Sequence, residues 1–245
     1  MIKVLGISGS PRKGNSQFLL DIALESARMV SDEVEIESYS IRGKKFGGCV
    51  MCQNCQKDGE CIIKDDFQAL RDKWIDADVI IYSVPVYHMG MPAQLKAFID
   101  RLGNSMFGRY KDNFKPEEAT LPRSLKTIAT ITQGTHVFSG QEHTITQMIN
   151  HALIMGCIPV TGDMWESYIG VGGWTNTLEG RDALEQLVEA GDRDALVAVR
   201  GSKSIAKRAV EISMLLRAGA KYKESYFGNN PVYVPLMDRV NRSKE

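Results

Sequence analysis

The chain has no excess of charge of either sign. Its 30 Lys and Arg balance 30 Asp and Glu over 245 residues, and the basic residues are spread along the chain. A nucleic-acid footprint needs clustered cations, so no nucleic-acid partner is expected. No apolar run reaches the roughly 20 residues of a membrane span, so no membrane partner is expected either. No leader precedes the first strand-like stretch, and the expectation is a cytoplasmic protein. Internal repeats and low-complexity linkers are missing. Cysteine is scarce outside one short segment, since only Cys157 of the five stands apart. That distribution, in a long chain with no leader, counts against a disulfide framework. An apolar content of 43% suffices for a buried core, as one domain or one domain plus an appendage.

What the chain does have is four cysteines in one loop. Cys49, Cys52, Cys55 and Cys61 follow the spacing C-x2-C-x2-C-x5-C, behind Gly47 and Gly48 and with Gly59 just before the fourth. Thiols at successive i, i+3 steps in a glycine-flanked loop can converge on one centre. Thiolates are the soft ligands that iron–sulfur clusters and zinc require. A cluster, a zinc ion and a metal-free thiol set all remain open on spacing alone.

Around this loop, strand and helix patterns alternate. Residues 2–8 and 78–84 are largely apolar runs and read as buried parallel strands. Residues 34–39 alternate like a strand, and 126–132 and 157–163 complete a set of five. Helical spacing is expected over 16–30, from Asp65 and Asp66 to about 76, over 92–102 and over 141–155. Such alternation predicts an α/β fold with a parallel sheet covered on both faces. Beyond residue 163 a long helix is expected over about 192–220. The aromatic, glycine-rich stretch around Trp165, Tyr168 and Trp174 reads as flexible. The tail over 229–237 reads as extended, because prolines oppose helix there.

Ligands of such sheets bind at the carboxyl ends of the strands. Three strand-end loops fit one ligand. The loop from Gly9 to Ser16 has the outline of a phosphate-binding turn at a helix N-terminus. Asn15 stands where a nucleotide triphosphatase would need lysine, and the dinucleotide fingerprint is missing, so a single phosphate monoester fits best. The second loop, Pro85 to Pro92, brings Tyr87, His88, Met89 and Met91 to a strand end. The third, from Gln133 through Gly134 and Gly140, permits close backbone approach.

Residues 6–16, 83–101 and 133–142 together resemble flavodoxin-like proteins of the NADPH-dependent FMN reductase superfamily. With the compact cysteine set, the chain is most similar to the iron–sulfur flavoproteins of that group. The resemblance implies a flavodoxin-like, doubly wound, five-stranded domain over residues 1–165, with the cysteine loop at 47–62 and a helical and extended appendage over 166–245. It implies FMN as cofactor, its phosphate held by Ser8, Ser10, Arg12, Gly14, Asn15 and Ser16. Pro85, Val86, Tyr87, His88, Met89 and Gly90 would run beside the isoalloxazine ring, and Gln133, Gly134 and Gly140 along its other edge. Cys49, Cys52, Cys55 and Cys61 would ligate a 4Fe-4S cluster, with zinc or an empty thiol set as alternatives. His88 and His136 are candidate proton donors, each also readable as a packing side chain. NAD(P)H is a candidate donor, and a small molecule or a protein the redox partner. A plain FMN or quinone reductase and a non-catalytic electron carrier stay open beside the cluster-coupled redox protein. The exposed loop, aromatic stretch and apolar tail lead to the expectation of a homodimer or homotetramer.

Overall fold

Strands buried on both faces are largely apolar at successive positions, as residues 2–8 and 79–85 are. A computed structural model of the protein describes residues 1–114 and 121–242. Strands β1 (Ile2–Ser8), β2 (Val34–Ser40), β3 (Val79–Pro85), β4 (Thr127–Gly134), β5 (Ile158–Pro159) and β6 (Val171–Trp174) form one sheet. Helices α1 (Asn15–Arg28), α2 (Phe67–Asp76), α3 (Ala93–Tyr110) and α4 (Gln141–Ile154) connect the strands. After β6 come α5 (Ala183–Glu189), α6 (Arg193–Tyr222), α7 (Glu224–Gly228) and α8 (Val234–Asn241). The order is β2-β1-β3-β4-β5 with every pair parallel, the flavodoxin-like arrangement, whose switch point lies between β1 and β3.

Side chains alternate across β3. Val79 and Ile81 join Leu19, Leu20, Ile205 and Ala206 on the α1 and α6 face. Ile80, Tyr82 and Val84 join Phe67, Phe98 and Met148 on the face of α2, α3 and α4. Each large aliphatic side chain so buried stabilises the fold by about 1.5–3 kcal/mol. Helix α6 matches its predicted span. Asp192 caps it by accepting a hydrogen bond from the Ala195 amide at 2.9 Å, and its apolar stripe lies against α1 and the sheet.

Two stretches differ from the sequence reading. The strand expected over 157–163 is only Ile158–Pro159; the Val160 amide makes one more bond to the Ile128 carbonyl, and the chain then leaves the edge. It returns within the stretch read as flexible. β6 pairs with the later half of β4, Ile131 opposite Val171 and Gly134 opposite Trp174. Gly170 permits the return: its φ is 147°, and a Cβ there would meet the Thr130 carbonyl oxygen at 3.0 Å. The tail over 229–237 is not extended. Asn230 accepts from the Val232 amide to start a turn, and Pro235 sits in the first turn of α8, where its missing N–H costs nothing.

One buried polar chain lies under the sheet. Trp74 Nε1 donates to the Tyr82 hydroxyl at 3.0 Å, which lies 3.2 Å from His151 Nε2. The hydroxyl proton is then free for an unprotonated Nε2. Burial accordingly pushes the His151 pKa down to about 4. As pH falls from about 6.5 toward 4, the unfolded chain binds a proton that the folded one refuses, so stability is lost across that window. The loss is about 3 kcal/mol at its lower end. Urea unfolding at pH 7 and pH 4 should show the wild type losing that much more than His151→Gln; equal losses would contradict it.

Candidate functional site

The loops after β1, β3 and β4 meet at one cavity of about 300 Å³. Gly14 precedes the first residue of α1, and its carbonyl accepts from the Gln17 and Phe18 amides, so the loop feeds straight into the helix N-terminus. Ser10, Arg12, Gly14, Asn15 and Ser16 line one end of the cavity. Pro85, Val86 and Tyr87 line a second side, and Gln133, Gly134 and Thr135 a third. A helix N-terminus with two hydroxyls and a guanidinium suits a phosphate. The Pro-Val-Tyr wall suits a flat aromatic body, so the residues present fit FMN.

Some predicted residues take other places. Ser8 is fully buried beneath the loop and does not line the cavity; its Oγ has no hydrogen-bond partner. Asn15 spends its side chain on the chain's far end, donating to the Gly180 carbonyl at 3.2 Å and accepting from the Leu184 amide at 3.0 Å. It clasps the segment after β6 onto the phosphate loop. That segment brings Thr175, Leu178 and Glu179 to the cavity, which the sequence reading missed. A signal was there in Asn176, a residue that tolerates left-handed backbone: Asn176 has φ 49° and Thr177 φ 69°.

His88, Met89 and Gly90 form the tip of a tight turn outside the 300 Å³ cavity. Tyr87 and Gly90 exchange both backbone hydrogen bonds, at 2.8 and 3.0 Å, while His88 and Met89 hold φ of 44° and 67°. Left-handed backbone at two successive non-glycine residues is strained, and such strain concentrates at binding sites. Gly140, with φ 103°, abuts this turn; a Cβ there would meet the Met89 Cα at 2.8 Å. Met89 and Gly140 border a neighbouring cavity of about 750 Å³, together with Phe138, Trp165 and Tyr168. His136 is exposed and lines neither cavity. Its backbone carbonyl accepts from Gln141 Nε2 at 2.7 Å, and Gln141 Nε2 also reaches the Gly173 carbonyl, so Gln141 pins this loop to β6.

The four cysteines are free and line one small cavity of about 30 Å³. Met51 and Gln53, both at positive φ, turn the backbone between the first three. Cys49 and Cys52 are exposed, Cys55 and Cys61 half-buried. Burial, then the nearby Cys61 sulfur, pushes the Cys55 thiol up. Among the described residues no three His, Cys, Asp or Glu side chains are grouped closely enough to hold a single metal ion as they stand.

The loop docks on α3 through glycine and arginine. Gly108 lies against the Cys55 carbonyl, and the Gly59 amide donates to that same carbonyl at 2.7 Å. Ser105 Oγ donates to the Gly59 carbonyl. Arg101 and Asp65 pair at 2.7 Å, both largely buried. Burial alone would raise the Asp65 carboxyl; hydrogen bonds from Arg101, then from the Gly47 and Phe67 amides, outweigh it and hold the carboxyl below the usual range.

Residues 2–165 match the NADPH-dependent FMN reductase family. An iron-sulfur flavoprotein of Archaeoglobus fulgidus is 36% identical over 179 residues, 72% of this chain and 85% of that protein. An iron-sulfur flavoprotein of Methanosarcina thermophila is 33% identical over 193 residues, 78% of this chain and 93% of the other. Among solved structures, an azoreductase from Bacillus anthracis superposes with a TM-score of 0.58 at 15% identity, covering 85% of this chain and all of that one, a likeness of fold. Fold, strand-end cavity and sequence agree: the chain belongs to the NADPH-dependent FMN reductase family.

Proposed function

We propose that the protein is an FMN-dependent oxidoreductase in which the flavin exchanges electrons with a 4Fe-4S cluster on Cys49, Cys52, Cys55 and Cys61. The observation that carries this is the gathering of all four thiols around one cavity, on a loop that leaves the same sheet edge as the phosphate loop. The sequence spacing C-x2-C-x2-C-x5-C favours a cluster over zinc. FMN supplies hydride acceptance and stepwise electron release, and the cluster single-electron transfer.

The chain's own residues bind and orient. Ser10, Arg12 and Ser16 hold the phosphate together with the first amides of α1. Pro85, Val86 and Tyr87 flank the ring, Gln133 and Gly134 face its other edge, and Thr175 and Glu179 close the cavity from the segment that Asn15 holds down. The donor is NAD(P)H or a reduced protein, and the acceptor a small molecule or partner protein. The protein works in the cytoplasm as a homo-oligomer, the exposed Phe138 and Trp165 beside the larger cavity being the surface to cover. The aromatic lining of that cavity also favours a second reading, reduction of a flat acceptor such as a quinone with the cysteines serving the loop alone.

Denaturation should release a flavin that chromatographs as FMN; FAD, or no flavin after reconstitution, would overturn the proposal. Arg12→Ala is expected to weaken FMN by about 1.5–3 kcal/mol, tenfold or more in Kd, as the loss of a charge-assisted hydrogen bond requires. A fluorescence titration with unchanged Kd would put the phosphate elsewhere.

A further inference from the structure

Arg101 uses both of its Nη atoms, and its Nε has no partner. Nη1 donates to Asp65 Oδ2 and Oδ1 at 2.7 and 2.9 Å and reaches the Gly47 carbonyl at 3.2 Å; Nη2 donates to the Ile63 carbonyl at 2.8 Å. Gly47 precedes the first cysteine, and Ile63 and Asp65 follow the last, so one guanidinium ties both ends of the loop to α3. The Phe67 ring lies 4.2 Å from its centre. The side chain is 1% exposed, and its Nε–H is buried with no hydrogen-bond partner. Buried donors without an acceptor are rare, and each one calls for an explanation. Arg101 lines the same cavity as the four cysteines, whose sulfurs are acceptors that a loaded cluster would bring together there.

We infer that Arg101 is the positioning residue of the thiol site, clamping the loop with its two Nη atoms and giving its Nε–H to a sulfur of the loaded cluster. This rests on the cluster reading of the four cysteines. Hydrogen bonds to the sulfurs are one of the terms that set a cluster's potential. An N–H aimed at sulfur stabilises the more negative, reduced cluster, so Arg101 raises the potential at which the cluster accepts an electron. The pairing with Asp65 offsets much of the guanidinium's charge, which leaves the directed N–H as its distinctive contribution.

The test uses whole protein reconstituted anaerobically with ferrous iron and sulfide. Iron and FMN content are measured, and the cluster potential is read by a titration followed by electron paramagnetic resonance. Arg101→Lys keeps a cation near the site and loses Nε. The expected result is a cluster at a more negative potential, with an altered reduced-state spectrum and FMN still bound. A loaded Arg101→Lys protein with the wild-type potential and spectrum overturns the inference and leaves Arg101 a clamp alone. Where Arg101→Lys does not retain iron, wild-type protein labelled with nitrogen-15 in its arginine side chains provides the reading: pulsed electron paramagnetic resonance of the reduced cluster is expected to show a coupled arginine nitrogen, and its absence overturns the inference. Wild-type protein that takes up no iron and sulfide fails the cluster reading itself, an outcome distinct from a loaded cluster whose potential ignores Arg101.

Discussion

Gly108→Ala is expected to abolish cluster loading while the fold and FMN binding persist. A Cβ on Gly108 would overlap the Cys55 carbonyl oxygen and come within 2.8 Å of its carbon. Both are backbone atoms, so no rotamer change relieves the clash. Helix α3 is held by Leu102, Met106 and Tyr110, all buried, so the loop must give way rather than the helix. Moving Cys55 also pulls on Gly59, whose own site against Ser105 and Arg109 leaves no room: a Cβ there would meet the Ser105 carbonyl oxygen at 2.7 Å. Alanine favours a helix interior over glycine by about 1 kcal/mol, so α3 itself is not weakened. Iron analysis and the anaerobic visible spectrum read the loop, and an FMN titration reads the flavin site. A full cluster in Gly108→Ala would mean that the loop sits differently when loaded.

Serine at any one of Cys49, Cys52, Cys55 or Cys61 is the second large effect. Each replacement removes a thiolate from the set, and the fifth cysteine lies in the core. The broad visible absorption is expected to disappear while FMN remains, because Ser10, Arg12 and Ser16 belong to a separate loop. Cys157→Ser is the control. Its thiol is 6% exposed, burial pushes its pKa up to about 11, and it neither titrates near neutrality nor reaches the loop. Loss of absorption in Cys157→Ser, or its survival in Cys52→Ser, would remove these four residues from the ligand set.

The parts of the fold written in local pattern were legible in the sequence. β1 and β3 announce themselves as largely apolar runs, α6 by its periodic face, and the phosphate loop by glycine and hydroxyl residues at a strand end. What depended on distant pairing was not. β5 and β6 share one edge of β4 across an excursion of the chain, and neither two residues nor Val-Gly-Gly-Trp carries a strand's alternation. α8 was hidden by prolines that the structure places in first turns. Asn15 looked like a phosphate ligand because its neighbours do, yet its partners lie about 165 residues away in sequence. Arg101 stood at the end of a matching stretch, but nothing local shows that its guanidinium crosses to the cysteine loop.

The central claim is the joint presence of flavin and cluster in one chain. A visible spectrum of anaerobically purified protein, with iron, sulfide, zinc and flavin analysis on the same sample, tests it most directly. The account predicts about one FMN with about four iron and four sulfide per chain, the flavin bands riding on broad cluster absorption. Zinc, or no metal, at full FMN occupancy would contradict it.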